Sequence, residues 1–442
     1  MIIDGKDVDP CYAYNFPNKG YHTVYYKFKE SSSPSSNEIF FNIQEITEAS
    51  FSDFNEYLPS LSFPSLFSRC TQLTSVDLSK ISFGSNQKYR LNNMFKNCSN
   101  LKYVNFNLKI NLVLETTVEN MFYGCKSLLS VDLSKLDFKY VSNFENMFYD
   151  CNSLSSINLN SVYLKSANNI NYMFYNCFSL TSLDLSGFKP DNLRTMENVF
   201  SNCAKLSYLG LNQFYTHNVN SMKNLFYNCS SLTSIELSSF NTQNVEYFQN
   251  MFAYCSSLTS IDITNFIASN SRDISGMFLH CHSLTSIDLT NFEIVNENNM
   301  NDVFSHCYSL KTIDLQNFNM NAKNFESMFS HCYSLERVIF NNNTNIKFQN
   351  VKKMFYGCYS LTSVDLSMFY DYASTCPYTE IFYDCPNLNY VNIKGISNTY
   401  NGNCNYMFNN NISSSGTLII KEDFYNNYKN KVPSNWIINT IN

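Results

Sequence analysis

From Cys229 the chain places apolar residues at Leu232, Ile235, Leu237 and Phe240, then at Val245, Phe248, Met251 and Phe252, and begins again at Cys255. Polar residues fill the gaps. Ile235 and Leu237 lie two apart and face one side of a short strand, with Ser234, Glu236 and Ser238 on the other. The second group, spaced three, three and one, predicts one face of a short helix of about two turns. Neither half can bury its apolar side alone. Stacked copies bury both in one continuous core, so a period of about 26 residues decides the fold.

The repeat cysteines are Cys70, Cys98, Cys125, Cys151, Cys177, Cys203, Cys229, Cys255, Cys281, Cys307, Cys332, Cys358 and Cys385, one for each of thirteen turns. At about 4.8 Å per stacked strand they make a rod roughly 60 Å long. Residues 1–58 lack the repeat and are expected to cap the first turn, with a strand at 21–28, a Ser-rich loop at 31–36 and a degenerate turn from Ile39 to Tyr57. Residues 59–410 form the solenoid, with loops at 84–88 and 371–377 departing from the period. In 411–442 Asn411 stands where Cys is due. A last strand is expected at 417–420, and Tyr425, Tyr428 and the single Trp436 cover the last rung.

Charged residues are only 15% and the net charge is -6, with no basic cluster, which argues against nucleic acid as a partner. No apolar run is long enough to span a membrane. The opening MIIDGKDVDP puts Asp4 and Lys6 where a signal peptide needs apolar residues, so no export signal is expected in the chain as it stands. Phosphate-loop, nucleophile-elbow and His-Glu-x-x-His patterns are missing, so no catalysis, cofactor or metal is expected.

Cysteines at one position per turn have parallel Cβ vectors about 4.8 Å apart, longer than the roughly 3.8 Å a disulfide prefers. They read as small buried hydrophobes, with Cys11, Cys376 and Cys404 left over. His280, His306 and His331 each precede a repeat Cys, and His282 lies close by. Stacked imidazoles raise a metal reading. Against it, other turns carry Asn97, Gly124, Asp150, Asn176, Asn202, Asn228, Gly357 and Asp384 in that slot. These are the residue types that tolerate positive φ, so the slot reads as a left-handed cap.

Between the two core aliphatics of the strand stand Asp77, Asp132, Asp184, Glu236, Asp262, Asp288, Asp314 and Asp365, with Asn105, Asn158, Gly210, Ile339 and Asn392 in the remaining turns. Glu236, Asp262, Asp288 and Asp314 are adjacent. Their repulsion must be relieved by hydrogen bonds from neighbours such as Ser238, Thr264 and Thr290, by raised pKa values, or by cations or a basic partner. These four are the candidate partner-binding residues, although a solvated ladder needs no partner. Replacing them with Gln or Asn is expected to stabilise the fold modestly.

The pattern Leu-x-x-Ile-x-Leu-x-x-Phe resembles the leucine-rich repeat, with Phe240 where many such repeats carry Asn or Cys. More narrowly, "MF-x-x-C-x-S-L-T-S-I-D-L-S-x-F-x-T-x-N-V" is similar to the bacterial surface-protein repeat of the BspA-like group. The resemblance implies an α/β repeat, a right-handed leucine-rich-repeat solenoid with parallel strands and short helical segments. It implies a non-catalytic scaffold for protein–protein interaction, with a protein ligand, adhesion or host contact at a cell surface, and a monomer. The alternative is an intracellular scaffold without an adhesive role.

Overall fold

The computed structural model describes residues 2–3, 6–7, 24–25, 40–50, 64–79, 90–106, 110–111, 117–159, 164–294, 298–316, 318, 320, 322–341, 345–371, 379–396, 407–408 and 411–441. The alternating half of most units forms a strand of three or four residues. Ser75–Asp77 pairs in parallel with Glu48–Ser50 and Tyr103–Asn105, with Val76 opposite Ala49 and Val104. The same one-turn step joins Ser130–Asp132 to Ser156–Asn158, Ser182–Asp184 to Tyr208–Gly210, and Thr312–Leu315 to Arg337–Phe340. At the far end Ser363–Asp365, Tyr390–Asn392, Ser415–Lys421 and Asn435–Ile441 form one parallel sheet. The molecule is a parallel-strand solenoid, as the repeat predicts.

The helical half is a correction. Among the described residues the helices are Glu422–Phe424 and Tyr425–Tyr428, both in the tail. The second half of each unit is a run of β-turns. In the unit ending at Cys229 the N–H groups of Leu225, Tyr227 and Cys229 donate three residues back, to Met222, Asn224 and Phe226. Those of Met222, Asn224, Phe226 and Asn228 donate instead to Tyr247, Gln249, Met251 and Ala253 of the next coil. A helix would use all of them internally. Left-handed residues force the alternation, because an L-residue at positive φ breaks a right-handed helix. Asn224 has φ 53° and Asn228 has 56°. The same two slots, five and one before the repeat Cys, are left-handed in all thirteen coils, from Ser65 and Arg69 to Glu380 and Asp384.

The side chains that turn inward make columns. Phe rings from Phe40 through Phe67, Phe95 and Phe226 to Phe408 stack one per coil, with centroids 5.1–5.9 Å apart. Trp436 covers the last ring, Phe408, at 6.1 Å and ties its indole N–H to Ser413 O at 2.8 Å. The repeat cysteines are buried free thiols. Each Sγ donates to a Phe carbonyl of the preceding coil, as Cys229 does to Phe200 O at 3.0 Å and Cys307 to Phe278 O at 3.2 Å. The thiol is therefore a cross-coil tie as well as a hydrophobe. Of the expected N-terminal strand only Val24–Tyr25 is described, antiparallel to Ile2–Ile3. The loops at 31–36, 84–88 and 372–377, together with Cys11, Cys376 and Cys404, lie outside the described residues.

Candidate functional site

Two outward surfaces carry chemistry that the core does not require. The first is the strand face. Glu236, Asp262, Asp288 and Asp314 are all exposed, on four successive coils. Each carboxylate accepts the backbone N–H two residues on: Ser238 at 3.0 Å, Thr264 at 3.0 Å, Thr290 at 2.9 Å and Gln316 at 2.9 Å. Thr264 and Thr290 add their hydroxyls at 2.7 and 2.6 Å. Of the routes to relief, raised pKa values are overturned. Side-chain and backbone hydrogen bonds from Ser238, Thr264 and Thr290 hold the carboxyls of Glu236, Asp262 and Asp288 below their ordinary values. Those three carboxyls stay ionised near neutral pH.

The sheet lapses along this column. The stretches at 234–237, 260–263 and 286–289 do not pair as strands, unlike the coils on either side. Thr259 N–H to Thr233 O at 3.1 Å and Thr285 N–H to Thr259 O at 3.3 Å hold the coils there. Isolated acids at Asp132, Asp184 and Asp365 sit in paired strands and cap the same turn. Pairing also lapses between Tyr103–Asn105 and Ser130–Asp132 and between Ser156–Asn158 and Ser182–Asp184, where no two acids adjoin, so like charge alone does not set it.

The second surface is a corner of stacked rings around the repeat cysteines. In the slot before the Cys, Tyr254, His280, His306 and His331 stack at 4.5, 4.1 and 4.6 Å between centroids. In the slot after it, His282, Tyr308, Tyr333 and Tyr359 stack at 4.4, 4.7 and 4.9 Å. The columns meet edge to face, His280 on His282 and His306 on Tyr308. His280, His306 and His331 have φ of 59°, 61° and 59°, the left-handed caps expected from the slot, which also takes Arg69 and Tyr254. His280 Nδ1 meets His282 Nε2 at 3.1 Å, and His306 Nδ1 meets the Tyr308 hydroxyl at 3.3 Å. Burial, then the other imidazoles, pulls His306 down to about 4. Burial comes first for His280, His282 and His331 as well, which are all lowered. Imidazoles stacked face to face point their nitrogens side by side, so a metal at the column would lack convergent ligands. No group of three or more His, Cys, Asp and Glu among the described residues is placed to hold a metal.

Sequence reasoning found the His column but missed its partner, because His282, Tyr308, Tyr333 and Tyr359 share only their place after the Cys. Reading the alignment of units column by column would have shown it. An open polar depression of about 500 Å³ is lined by Ser166, Asn168, Asn192, Arg194, Asn218 and Asn220, with no carboxylate or imidazole among them to activate the Ser166 hydroxyl.

Comparison with known proteins rests on the same repeats. The family described as BspA type leucine-rich repeat region, in six copies, matches residues 21–143 and 274–375, together more than half of the chain. The chain belongs to the BspA-type leucine-rich repeat family. This BspA-type chain also matches the family described as Mycoplasma protein of unknown function, DUF285, over 89–209 and 194–318. No curated protein matches it. Among solved structures it is similar to an internalin, InlF, of Listeria monocytogenes, at 14% identity over 80% of this chain and 83% of that one, with a TM-score of 0.23. A leucine-rich repeat protein of Eubacterium ventriosum matches at 13% identity over 66% and 79%, with a TM-score of 0.27. The pneumococcal vaccine antigen PcpA matches at 10% identity over 92% of both chains, also at 0.27. Superpositions this loose do not bear on what the BspA-type chain binds. No helix among its described residues is long and apolar enough to cross a membrane.

Proposed function

We propose that the protein is a non-catalytic scaffold for protein–protein contact at a cell surface, and that Glu236, Asp262, Asp288 and Asp314 form part of its contact face. Residues 1–58 and 411–442 close the ends of a rod spanning 59–410. The observation that carries the reading is the exposed acidic stripe on four successive coils, three of whose carboxyls, Glu236, Asp262 and Asp288, lie where the strands are unpaired. A repeat array offers such a face to a partner along its whole length. An ionised stripe selects a cationic partner, with affinity that falls as salt screens it.

The test joins location to binding. Protease added to intact cells should digest the native protein, and protection would favour the intracellular scaffold. Binding to cells or matrix should weaken in a variant carrying Glu236→Gln, Asp262→Asn, Asp288→Asn and Asp314→Asn, and should lose its salt dependence. Unchanged binding would make the stripe architecture alone.

A further inference from the structure

Rings fill the slots on both sides of the repeat Cys together in one stretch only. Before the Cys, the column runs Asn176, Asn202, Asn228 and then Tyr254, His280, His306, His331. After the Cys it runs Phe178, Ala204, Ser230, Ser256 and then His282, Tyr308, Tyr333, Tyr359, so a lone ring precedes three small residues before the run of rings begins. Both columns change from small polar groups to rings over the same few coils. The fold is built equally well with Asn or Ser in those slots, so the rings are not there to hold it together. Asn176, Asn202 and Asn228 show what the slot does when it is only structural. They form an amide ladder, each Nδ2 donating to the side chain one coil back, and the ladder ends on Asp150.

The ring array is ordered before any partner arrives, because each inner ring is held between two others. Its amphipathic edges remain reachable: Tyr254 is 36% and Tyr359 41% exposed, and the rings between are half-buried. Tyr rings fixed in this way offer contact area at low entropic cost. The pitch is also specific. Successive rings are 4.4–4.9 Å apart in the Tyr column, so every second ring recurs at about 9 Å. A polyproline II helix has three residues per turn and rises about 9.3 Å per turn. A chain in that conformation laid along the column brings every third residue against every second ring, in register over the array. It carries solvated carbonyls and has no internal hydrogen bonds, so it presents free acceptors to the ring edges. Docking of such helices on aromatic surfaces is a general recognition mode. Base stacking on the same rings is disfavoured by the chain's net charge of -6.

We propose that the double column around His306, Tyr308 and Tyr333 is a docking surface for proline-rich, extended segments of a partner protein. This rests on the reading of the protein as a protein-binding scaffold but uses residues separate from the acidic stripe.

The probe is a fluorescently labelled peptide of roughly ten prolines, a length of about three polyproline II turns. Its anisotropy is followed against the full chain at neutral pH, beside a Gly-Ser peptide of equal length. Saturable binding of the proline peptide is expected, with the Gly-Ser peptide at least about tenfold weaker. The double variant Tyr308→Ser/Tyr333→Ser adopts the residue of Ser230 and Ser256, so it should fold with the parent's thermal midpoint and lose at least about tenfold in affinity. Tyr359→Ser, at the exposed end of the column, should lose less. The quadruple acid variant should hold the peptide as the parent does. No saturation up to about 1 mM, equal affinity for both peptides, or undiminished binding by the double variant would overturn the inference. So would equal loss in the acid variant, which would place peptide binding on the strand face, or saturable binding of a neutral polysaccharide in place of the peptide.

Discussion

Four imidazoles share the ring corner, and His306 sits among the other three. Its lowered pKa makes stability depend on pH. The fold favours the neutral ring, while the unfolded chain protonates near the ordinary 6.5. Stability from this group is therefore complete above about pH 6.5 and is lost as pH falls toward about 4, the folded value. Thermal midpoints recorded across that window should fall for the parent and fall less for His306→Asn, which carries the residue of Asn202 and Asn228. Equal slopes for the two would remove His306 as the cause. The acids behave in the opposite sense. Hydrogen bonds hold Glu236, Asp262 and Asp288 below their ordinary pKa, so their contribution is present above the unfolded pKa and lost as pH falls through the folded one. This reverses the expected effect of neutralising them. The quadruple Gln/Asn variant loses charge-assisted hydrogen bonds along with the repulsion. Its thermal midpoint at neutral pH should drop slightly, and a rise would mean that repulsion outweighs the caps. The thiols are protected in a different way. Burial pushes Cys203, Cys255 and Cys332 up to about 12, so the reactive thiolate is scarce. Alkylation of the native protein near pH 8 should leave the repeat cysteines unmodified, and denaturation should expose them.

At the scale of the element, the strand was legible and the turn run was not. Ile-x-Leu alternation has one structural meaning, and Ile313 and Leu315 face the core in a paired strand as it requires. Val245, Phe248, Met251 and Phe252 are all buried too, but their spacing fits a helix face and a succession of turns equally. What separates the two is backbone handedness, signalled by Asn rather than by apolar residues. Asn93, Asn120, Asn146, Asn198, Asn224 and Asn250 stand five before a repeat Cys, each at positive φ. The slot one before the Cys was recognised because Gly, Asn, Asp and His all fill it. The earlier slot was missed, although Asn fills it in six coils and Gly276 in a seventh. Asn146→Val should cost about 1–2 kcal/mol, the penalty for a side chain crowded in the left-handed region, whereas Asn146→Gly should cost far less. Chemical denaturation would compare them, and equal costs would show that φ 57° at this position is not the constraint. The acidic stripe was legible as a column, while the lapse in strand pairing, which recurs elsewhere in the sheet, has no signal in any single unit.

Across the whole molecule, the Phe column runs the length of the solenoid and must end on something. Among the described residues Phe40 is the first ring and Trp436 covers Phe408, so an interior cut leaves a ring face in water. Trp436→Ala should cost about 3 kcal/mol or more. A chain cut after Cys385 should expose apolar surface and aggregate, and grafting residues 407–442 onto the cut should restore a monomer by light scattering. A soluble uncapped fragment would show that the cap is dispensable. The direction of the hydrogen bonds has a mechanical consequence. Bonds such as Phe226 N–H to Met251 O join one coil to the next, so they lie along the rod rather than across it. A pull on the two ends loads a single junction at a time, as in a zipper, rather than many in shear. Each coil that peels away frees one repeat of about 26 residues, about 90 Å of extended chain in place of about 4.8 Å of rod. Stretched between two fixed points, the molecule would yield at modest force in equal steps and lengthen many-fold. It would work as a ratcheting shock absorber whose stroke is set by the number of coils.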